Sequence, residues 1–371
     1  MIYLIQGMET RLARQAGAAV VLGSGLRPRY VDLPMLSHES VAENVAKLLD
    51  PIASLPEVCS WLWEAVAEPL FKELGATGEA GDMPCWALVP TGLLRALPLH
   101  AASGPSATLD DLVDVVELRS LLAPSGRTKV SHTATTGGLA MALHADDLIF
   151  PASDAAVAAA FMPGCRVLPE ATTPGDFFAA LSGAHDVLLS GHAVHALDVG
   201  GSLRLGPPES GLWLTADDLA RLPVRKRGTA ILAACSSGQP SLASPQEAYG
   251  LPTALMGMGF STVVASLWPV RDSVAFVTVA RFLQLRAQDP SLREEEHLRQ
   301  TRRWLRTATT DDLETWIDGL SRQVELDERP VECLRRFWRN YPDLMHPVPY
   351  SDPRDWAAFF CVRTWPQGGS D

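Results

Sequence analysis

"RGTAILAACSSG", Arg227–Gly238, is a run of small apolar residues that stops at a cysteine and gives way to two serines and a glycine. The apolar part reads as a buried strand and the polar part as the turn that ends it, with Cys235 at their junction. A second stretch, "DVLLSGH", Asp186–His192, has the same plan: a buried strand, a glycine, then an imidazole. Working outward, short apolar strands alternate with helical segments from about Lys129 onward. "ASDAAVAAAF" is an Ala-rich helix, "CRVLP" a short strand, and "TPGDFFAAL" a helix opened by Thr173 and Pro174. "SLRL" follows, then "TADDLARL", where Thr215 and Asp218 form a capping box. A helix from about Gln246 to Met258, the strand "STVVASLW" and a helix after Asp272 complete the series. Such alternation predicts an α/β fold with a mostly parallel central sheet and helices on both faces. Sites in such sheets form at the carboxyl ends of strands, so His192 and Cys235 face one cleft if their strands are neighbours.

The first 125 residues read differently and are expected to form an N-terminal region, 1–125, packed on a domain over 126–371. "ESVAENVAKLLD" and "EVCSWLWEAVAEPLFKEL" place apolar residues at three- and four-residue spacing, which predicts two amphipathic helices. "CWALVPTGLLRALPLHAA" reads as an apolar strand, a turn at Pro90–Gly92 and a second apolar run, the pattern of a hairpin or a tight strand connection. Toward the other end, "SLREEEHLRQTRRWLRTA" mixes both signs of charge on what reads as the solvated face of a covering helix. "ERPVECLRRFWRNYPDLMHP" adds Trp338 and Tyr341 to an Arg-rich segment, read as a packed helix with an exposed charged face rather than a partner surface.

The chain has 371 residues, 47% of them hydrophobic, enough for a sizeable core. A formal charge of −12 argues against general attraction to nucleic acid or to anionic lipid. The opening "MIYLIQGMETRLARQ" lacks the basic and long apolar segments of a secretory signal, and no apolar run is long enough to span a bilayer. Six cysteines, Cys59, Cys85, Cys165, Cys235, Cys333 and Cys361, are scattered without CxxC pairs. The expectation is a cytoplasmic protein in a reducing compartment, with neither a zinc knuckle nor a disulfide framework.

A thiolate attacks carbonyls well, and a neighbouring imidazole is the usual activator of a thiol whose free pKa is near 8.5. Cys235 and His192 meet that requirement by position; cysteine is also a favoured small core residue, and the residues alone leave both readings open. His192 and His195 form an HxxH pair, the basis of a metal-dependent alternative, but no third ligand is in view. "VLGSGLRPR" has Pro28 where a third glycine would complete a dinucleotide loop and reads as a turn. No Walker loop, HExxH or GxSxG is present, which leaves thiol chemistry without a metal or cofactor.

The succession "CWALVPTGLLRALPLHA", "DVLLSGHA", "GLWLTADDLARLPVRKRGTAILAACSSG", "EAYGLPTALMGMGFSTVVASLWPVRDSVA" and "DPRDWAAFF" resembles the CHAT family from about Trp61 to Phe360. The resemblance implies a caspase-like three-layer α/β fold and a cysteine endopeptidase of the clan that holds caspases and separase. It implies His192 as the catalytic histidine and Cys235, 43 positions on, as the nucleophile. The backbone N–H groups of Ala193 and Cys235 would hold the oxyanion. The family commonly has glycine after the histidine and an acidic or amide residue after the cysteine. Here Ala193 and Ser236 stand there, and alanine restricts the backbone where glycine would not. The "SLWPVRD" loop is the expected substrate pocket, with Trp268 as a wall and Asp272 as partner for a basic side chain; Asp198 is a second candidate. By the same resemblance the partners are a protein substrate and a regulatory or activating chain, the setting is bacterial regulated proteolysis including antiviral defence, and the alternative is a catalytically silent scaffold or sensor.

Overall fold

The structure, a computed structural model, describes residues 1–7, 16–23, 27–49, 51–74, 83–120, 137–143, 147–170, 172–196, 200–241, 249–340 and 348–364. Strands β1 (Ile2–Ile5), β2 (Gly17–Val21) and β3 (Arg29–Leu33) open the chain as an antiparallel meander. Helices α1 (His38–Leu49) and α2 (Pro51–Leu62) follow, and α2 runs through a π turn at Trp63–Ala67 into α3 (Glu68–Leu74). Next come β4 (Cys85–Pro90), the single turn α4 (Leu109–Leu112) and β5 (Asp114–Ser120). The alternating part contains β6 (Gly138–Ala142), α5 (Pro151–Phe161), β7 (Arg166–Leu168), α6 (Pro174–Gly183) and β8 (Asp186–Ser190). A small antiparallel sheet of β9 (Ala193–Ala196), β10 (Gly200–Arg204) and β11 (Trp213–Leu214) leads to α7 (Ala216–Ala220) and β12 (Arg227–Ala233). Then come α8 (Leu251–Gly257), β13 (Phe260–Ser266), α9 (Asp272–Gln288), α10 (Glu294–Thr307), α11 (Thr310–Ser321), α12 (Glu328–Arg339), α13 (Pro353–Trp356) and β14 (Phe359–Thr364).

Among the described residues eleven strands form one sheet in the order β3-β2-β1-β4-β5-β14-β13-β12-β8-β6-β7. Pairing is parallel except within the opening meander and between β13 and β14. β8 is buried at every position and β12 and β13 at nearly every one, as expected of parallel strands covered on both faces. Each fully buried Val, Leu or Ile there contributes roughly 1.5–3 kcal/mol. Local signals set the helix ends: Thr173 Oγ1 accepts the Asp176 N–H ahead of Pro174 in α6, and Thr215 and Asp218 cap α7 reciprocally. The helix expected from about Gln246 to Met258 begins only at Leu251, after a non-helical Tyr249–Gly250, and runs to Gly257; residues 246–248 lie outside the described residues.

Two expectations change. The run after β4 is not the second arm of a hairpin: Gly92 turns the chain at φ +55° and two 3₁₀ turns follow, Gly92–Ala96 and Leu99–Ala101. Pro98 between them has no N–H for a ladder, and β4 pairs instead with β1 and β5. The charged face of α10 is not solvated; Glu295, His297, Arg299 and Arg302 are buried. Arg302 grips Asp110 with two bonds, Nε–Oδ2 2.7 Å and Nη2–Oδ1 2.8 Å, and its Nη1 donates to the Phe359 carbonyl. Arg306 reaches Thr108 and Asp111, and Arg293 pairs with Asp114, so one helix clamps the segment that leads into β5. Trp338 on α12 is a core residue whose indole donates to the Tyr350 hydroxyl; Tyr341 lies outside the described residues.

Replacing Arg302 with alanine strands the Asp110 carboxylate without its partner in the interior. A loss of about 3–5 kcal/mol in unfolding free energy is expected, read as a lower urea midpoint at unchanged slope.

Candidate active site

β8 and β12 are neighbours, paired in parallel with Ser190 opposite Ala233. His192 and Cys235 each stand two residues beyond that pair, so they leave the same end of the sheet side by side, strands being about 4.8 Å apart. β6, on the other side of β8, is in register as well, with Ala142 opposite Ser190. The segment after β6 brings Asp147 to this end, and the segment after β13 brings Asp272.

Gly191 makes the turn into His192 at φ +155°; a Cβ there would stand 2.6 Å from the Leu143 carbonyl oxygen. The His192 ring donates through Nε2 to Asp147 Oδ1 at 2.6 Å, and Arg204 Nη2 stands 3.6 Å from the same oxygen. The bond to His192 holds the Asp147 carboxyl below the usual carboxylate range. Asp147 is itself placed by Asp272, whose Oδ2 accepts the N–H groups of Ile149 (2.6 Å) and Phe150 (3.2 Å). Burial pushes the Asp272 carboxyl up.

Cys235 opens a tight turn, and Ser236 after it adopts φ +52°, the single non-glycine residue with positive φ among the described residues. That conformation costs a serine about 1 kcal/mol. It is held by the Ser236 N–H on the Trp268 carbonyl (3.2 Å) and the Gly238 N–H on the Ser266 carbonyl (2.8 Å). At Gly238 the Phe360 ring of β14 fills the volume a side chain would need. The Cys235 thiol donates to the Val270 carbonyl at 3.5 Å, and burial, with the Asp272 charge adding to it, pushes the thiol up.

Of the residues singled out in the sequence, His192, Cys235, Ala193 and Asp272 come together at this end of the sheet. Ala193 sits in the extended strand β9, where alanine is at no disadvantage; the backbone strain falls on Ser236 instead. Trp268 is 1% exposed and its indole donates to the Arg354 carbonyl, so it belongs to the core beneath the loop and presents no pocket wall. Both main-chain bonds of Asp272 fall on one oxygen and serve the neighbouring loop. Asp198 lies outside the described residues. His195 donates to the Pro240 carbonyl (3.1 Å) while His192 faces Asp147, so the HxxH pair does not converge. Among the described residues no group of three or more His, Cys, Asp or Glu side chains is arranged to hold a metal ion, and no helix is long and apolar enough to cross a membrane.

Sequence reasoning missed Asp147 and, beneath it, Asp154. Asp154 on α5 is 1% exposed and accepts the Ser190 hydroxyl at 2.5 Å. Burial pushes its carboxyl up to about 8, and the nearby Asp272 charge adds to this. The signal for Asp147 was the acidic pair in "ALHADDLIF", directly after an apolar run that becomes the strand beside β8.

Residues 56–364 match the CHAT domain model, and the chain belongs to that family. Among solved structures it is similar to separase of Saccharomyces cerevisiae in two crystal structures of the separase–securin complex. One, at 13% identity and TM-score 0.43, covers 82% of this chain and 17% of that one. The other, at 12% and 0.41, covers 75% and 15%. It is also similar to a Porphyromonas gingivalis RgpB complex of pro- and mature domains, at 10% identity and TM-score 0.37, covering 66% of this chain and 61% of that one. The chain thus spans about a sixth of the separase chains. Comparison with curated proteins gave no match.

Asp154 makes stability depend on pH in a definite sense. Its carboxyl stays protonated in the folded chain up to about pH 8 but ionises near pH 4 once unfolded, so folding takes up a proton between those values. The associated stability is complete below pH 4 and is lost as pH rises toward 8, by at most about 1.4 kcal/mol per unit. Asp154→Asn is expected to remove that slope and to be the more stable protein at pH 8, measured by urea unfolding across pH 5–8.

Proposed function

We propose that the protein is a cysteine endopeptidase that cuts a specific protein partner, with Cys235 as nucleophile and His192 as acid and base. The observation that carries this reading is the β8–β12 register, which sends the imidazole and the thiol off adjacent strand ends with a carboxylate already on the imidazole.

With Nε2 engaged by Asp147, Nδ1 is the ring nitrogen left to handle a proton. The Cys235 proton passes to the imidazole, and the sulfur attacks the scissile carbonyl carbon, whose oxygen becomes an oxyanion held by the N–H groups of Ala193 and Cys235. Collapse breaks the C–N bond, His192 gives its proton to the leaving amine, and a thioester remains. Water, deprotonated by His192, attacks the thioester; the acid leaves and the thiol is restored. Asp147 stabilises the imidazolium present between these transfers, as a carboxylate behind a catalytic histidine does. The Ala193 donor finds support in strand parity: the Arg204 N–H donates to the His192 carbonyl (3.0 Å), so the N–H of the next residue, Ala193, points away from β10.

A silent scaffold that binds a partner without cutting it is the second reading, favoured by the thiol's burial and its bond to Val270. Alkylation separates the two. As a peptidase, the protein has Cys235 modified by iodoacetamide at least tenfold faster than Cys85, the exposed cysteine, at pH 7.5, and His192→Ala removes that preference. As a scaffold, Cys235 reacts no faster than Cys85. Cleavage of a diverse peptide library, read by mass spectrometry, is expected to yield cuts sharing one P1 residue that vanish in Cys235→Ala.

Asp147→Asn keeps a side chain of the same shape but loses the charge behind the imidazolium. Turnover at saturating peptide is expected to slow by roughly one to three orders of magnitude while KM changes little, and unchanged turnover would remove Asp147 from the mechanism.

A further inference from the structure

We infer that the outer edge of β9 is the strand on which the substrate's main chain docks; this rests on the peptidase reading above. Among the described residues β9 is the edge of the small sheet β11-β10-β9 and starts at the residue after His192. Its register with β10 sets Ala193 opposite Leu203, Val194 opposite Ser202, His195 opposite Gly201 and Ala196 opposite Gly200. The Arg204 N–H on the His192 carbonyl continues that register and identifies 192 and 204 as a hydrogen-bonded pair. Bonded and non-bonded pairs alternate in an antiparallel ladder, so Val194 bonds to β10 while Ala193 and His195 turn N–H and C=O the other way. The far side of β10 gives the same parity independently: Leu205 donates to the Leu212 carbonyl at 2.9 Å, which faces Leu203 toward β11 and away from Ala193.

Among the described residues two main-chain rungs thus open on one side, about 6.8 Å apart, the first of them the proposed oxyanion donor. The edge is braced from behind. His195 holds the Pro240 carbonyl, and the bare backbone of Gly201 lets the turn after Cys235 lie against β10, where a Cβ would come within 3.0 Å of the Ser236 oxygen. The rungs are therefore fixed relative to the nucleophile before a peptide arrives, which lowers the ordering cost of binding. An unpaired edge accepts any extended chain through its main chain. With the scissile carbonyl on the Ala193 N–H, the next rung engages the substrate residue one rung away. That residue is P3 when the peptide runs antiparallel to β9 and P2′ when it runs parallel.

The test is a scan of single N-methyl groups along a peptide the protein cleaves, with kcat/KM measured for wild type, His195→Pro and His195→Ala. Expected is a loss of tenfold or more at P3 or P2′ and under threefold at the residue beside it. In His195→Pro, which lacks the N–H that donates to the substrate carbonyl at that rung and sits where an edge strand tolerates proline, kcat/KM of the unmethylated peptide falls by a similar factor. His195→Ala, which keeps the N–H, retains the wild-type pattern. Tolerance of N-methylation at both positions in wild type overturns the inference without need of any variant, as does an unmethylated peptide that His195→Pro cleaves as fast as wild type does. Cleavage that survives Cys235→Ala, or no cleavage of any peptide, overturns instead the peptidase reading beneath it.

Discussion

The parallel register that sets Ser190 against Ala233 is the constraint on which the site depends. It is fixed far from any reactive atom, by apolar residues that are buried along both strands. A slip of one residue would turn these side chains to the wrong faces of the sheet, so the packing of the core and the alignment of the strand ends are one requirement. From that alignment the rest follows in order: Asp272 fixes the backbone at Ile149 and Phe150, that segment carries Asp147, and Asp147 orients His192. The imidazole is thus set through elements that follow three different strands.

A second tier of polar groups lies under the first. Asp154, holding the Ser190 hydroxyl two residues before His192, is kept neutral by its surroundings, and Asp272 is pushed in the same direction. Asp147, at the exposed rim, is pushed the opposite way by its bond to His192. Burial and hydrogen bonding thus push acids of one residue type in opposite directions.

How far the sequence exposed this varies by element. β8, β12 and β13 were legible because fully buried parallel strands are written as unbroken apolar runs, and α6 and α7 because their caps lie within four residues of chain. His192 and Cys235 were legible because the carboxyl-end rule needs only strand boundaries. Asp147 was not, since its role depends on β6 lying next to β8, a neighbour relation that local periodicity does not carry. The charged run on α10 misled for a related reason: its partners Asp110, Asp111 and Asp114 lie nearly two hundred residues earlier, and a buried ion pair looks in sequence like two solvated charges. Trp268 suggested a wall because aromatic residues at strand ends often line clefts; its indole had a carbonyl to reach inside.

β14 occupies the middle of the sheet, with β5 on one side and β13 on the other, although it is the last of the described strands in chain order. Its Phe360 ring also forms the seat against which the turn beyond Cys235 rests at Gly238. During synthesis on the ribosome, His192 and Cys235 therefore emerge long before the strand that seats the cysteine turn. The thiol and imidazole are made early, but their platform closes only when the sheet receives its central strand, so a nascent chain carries the residues of the site before it carries the site.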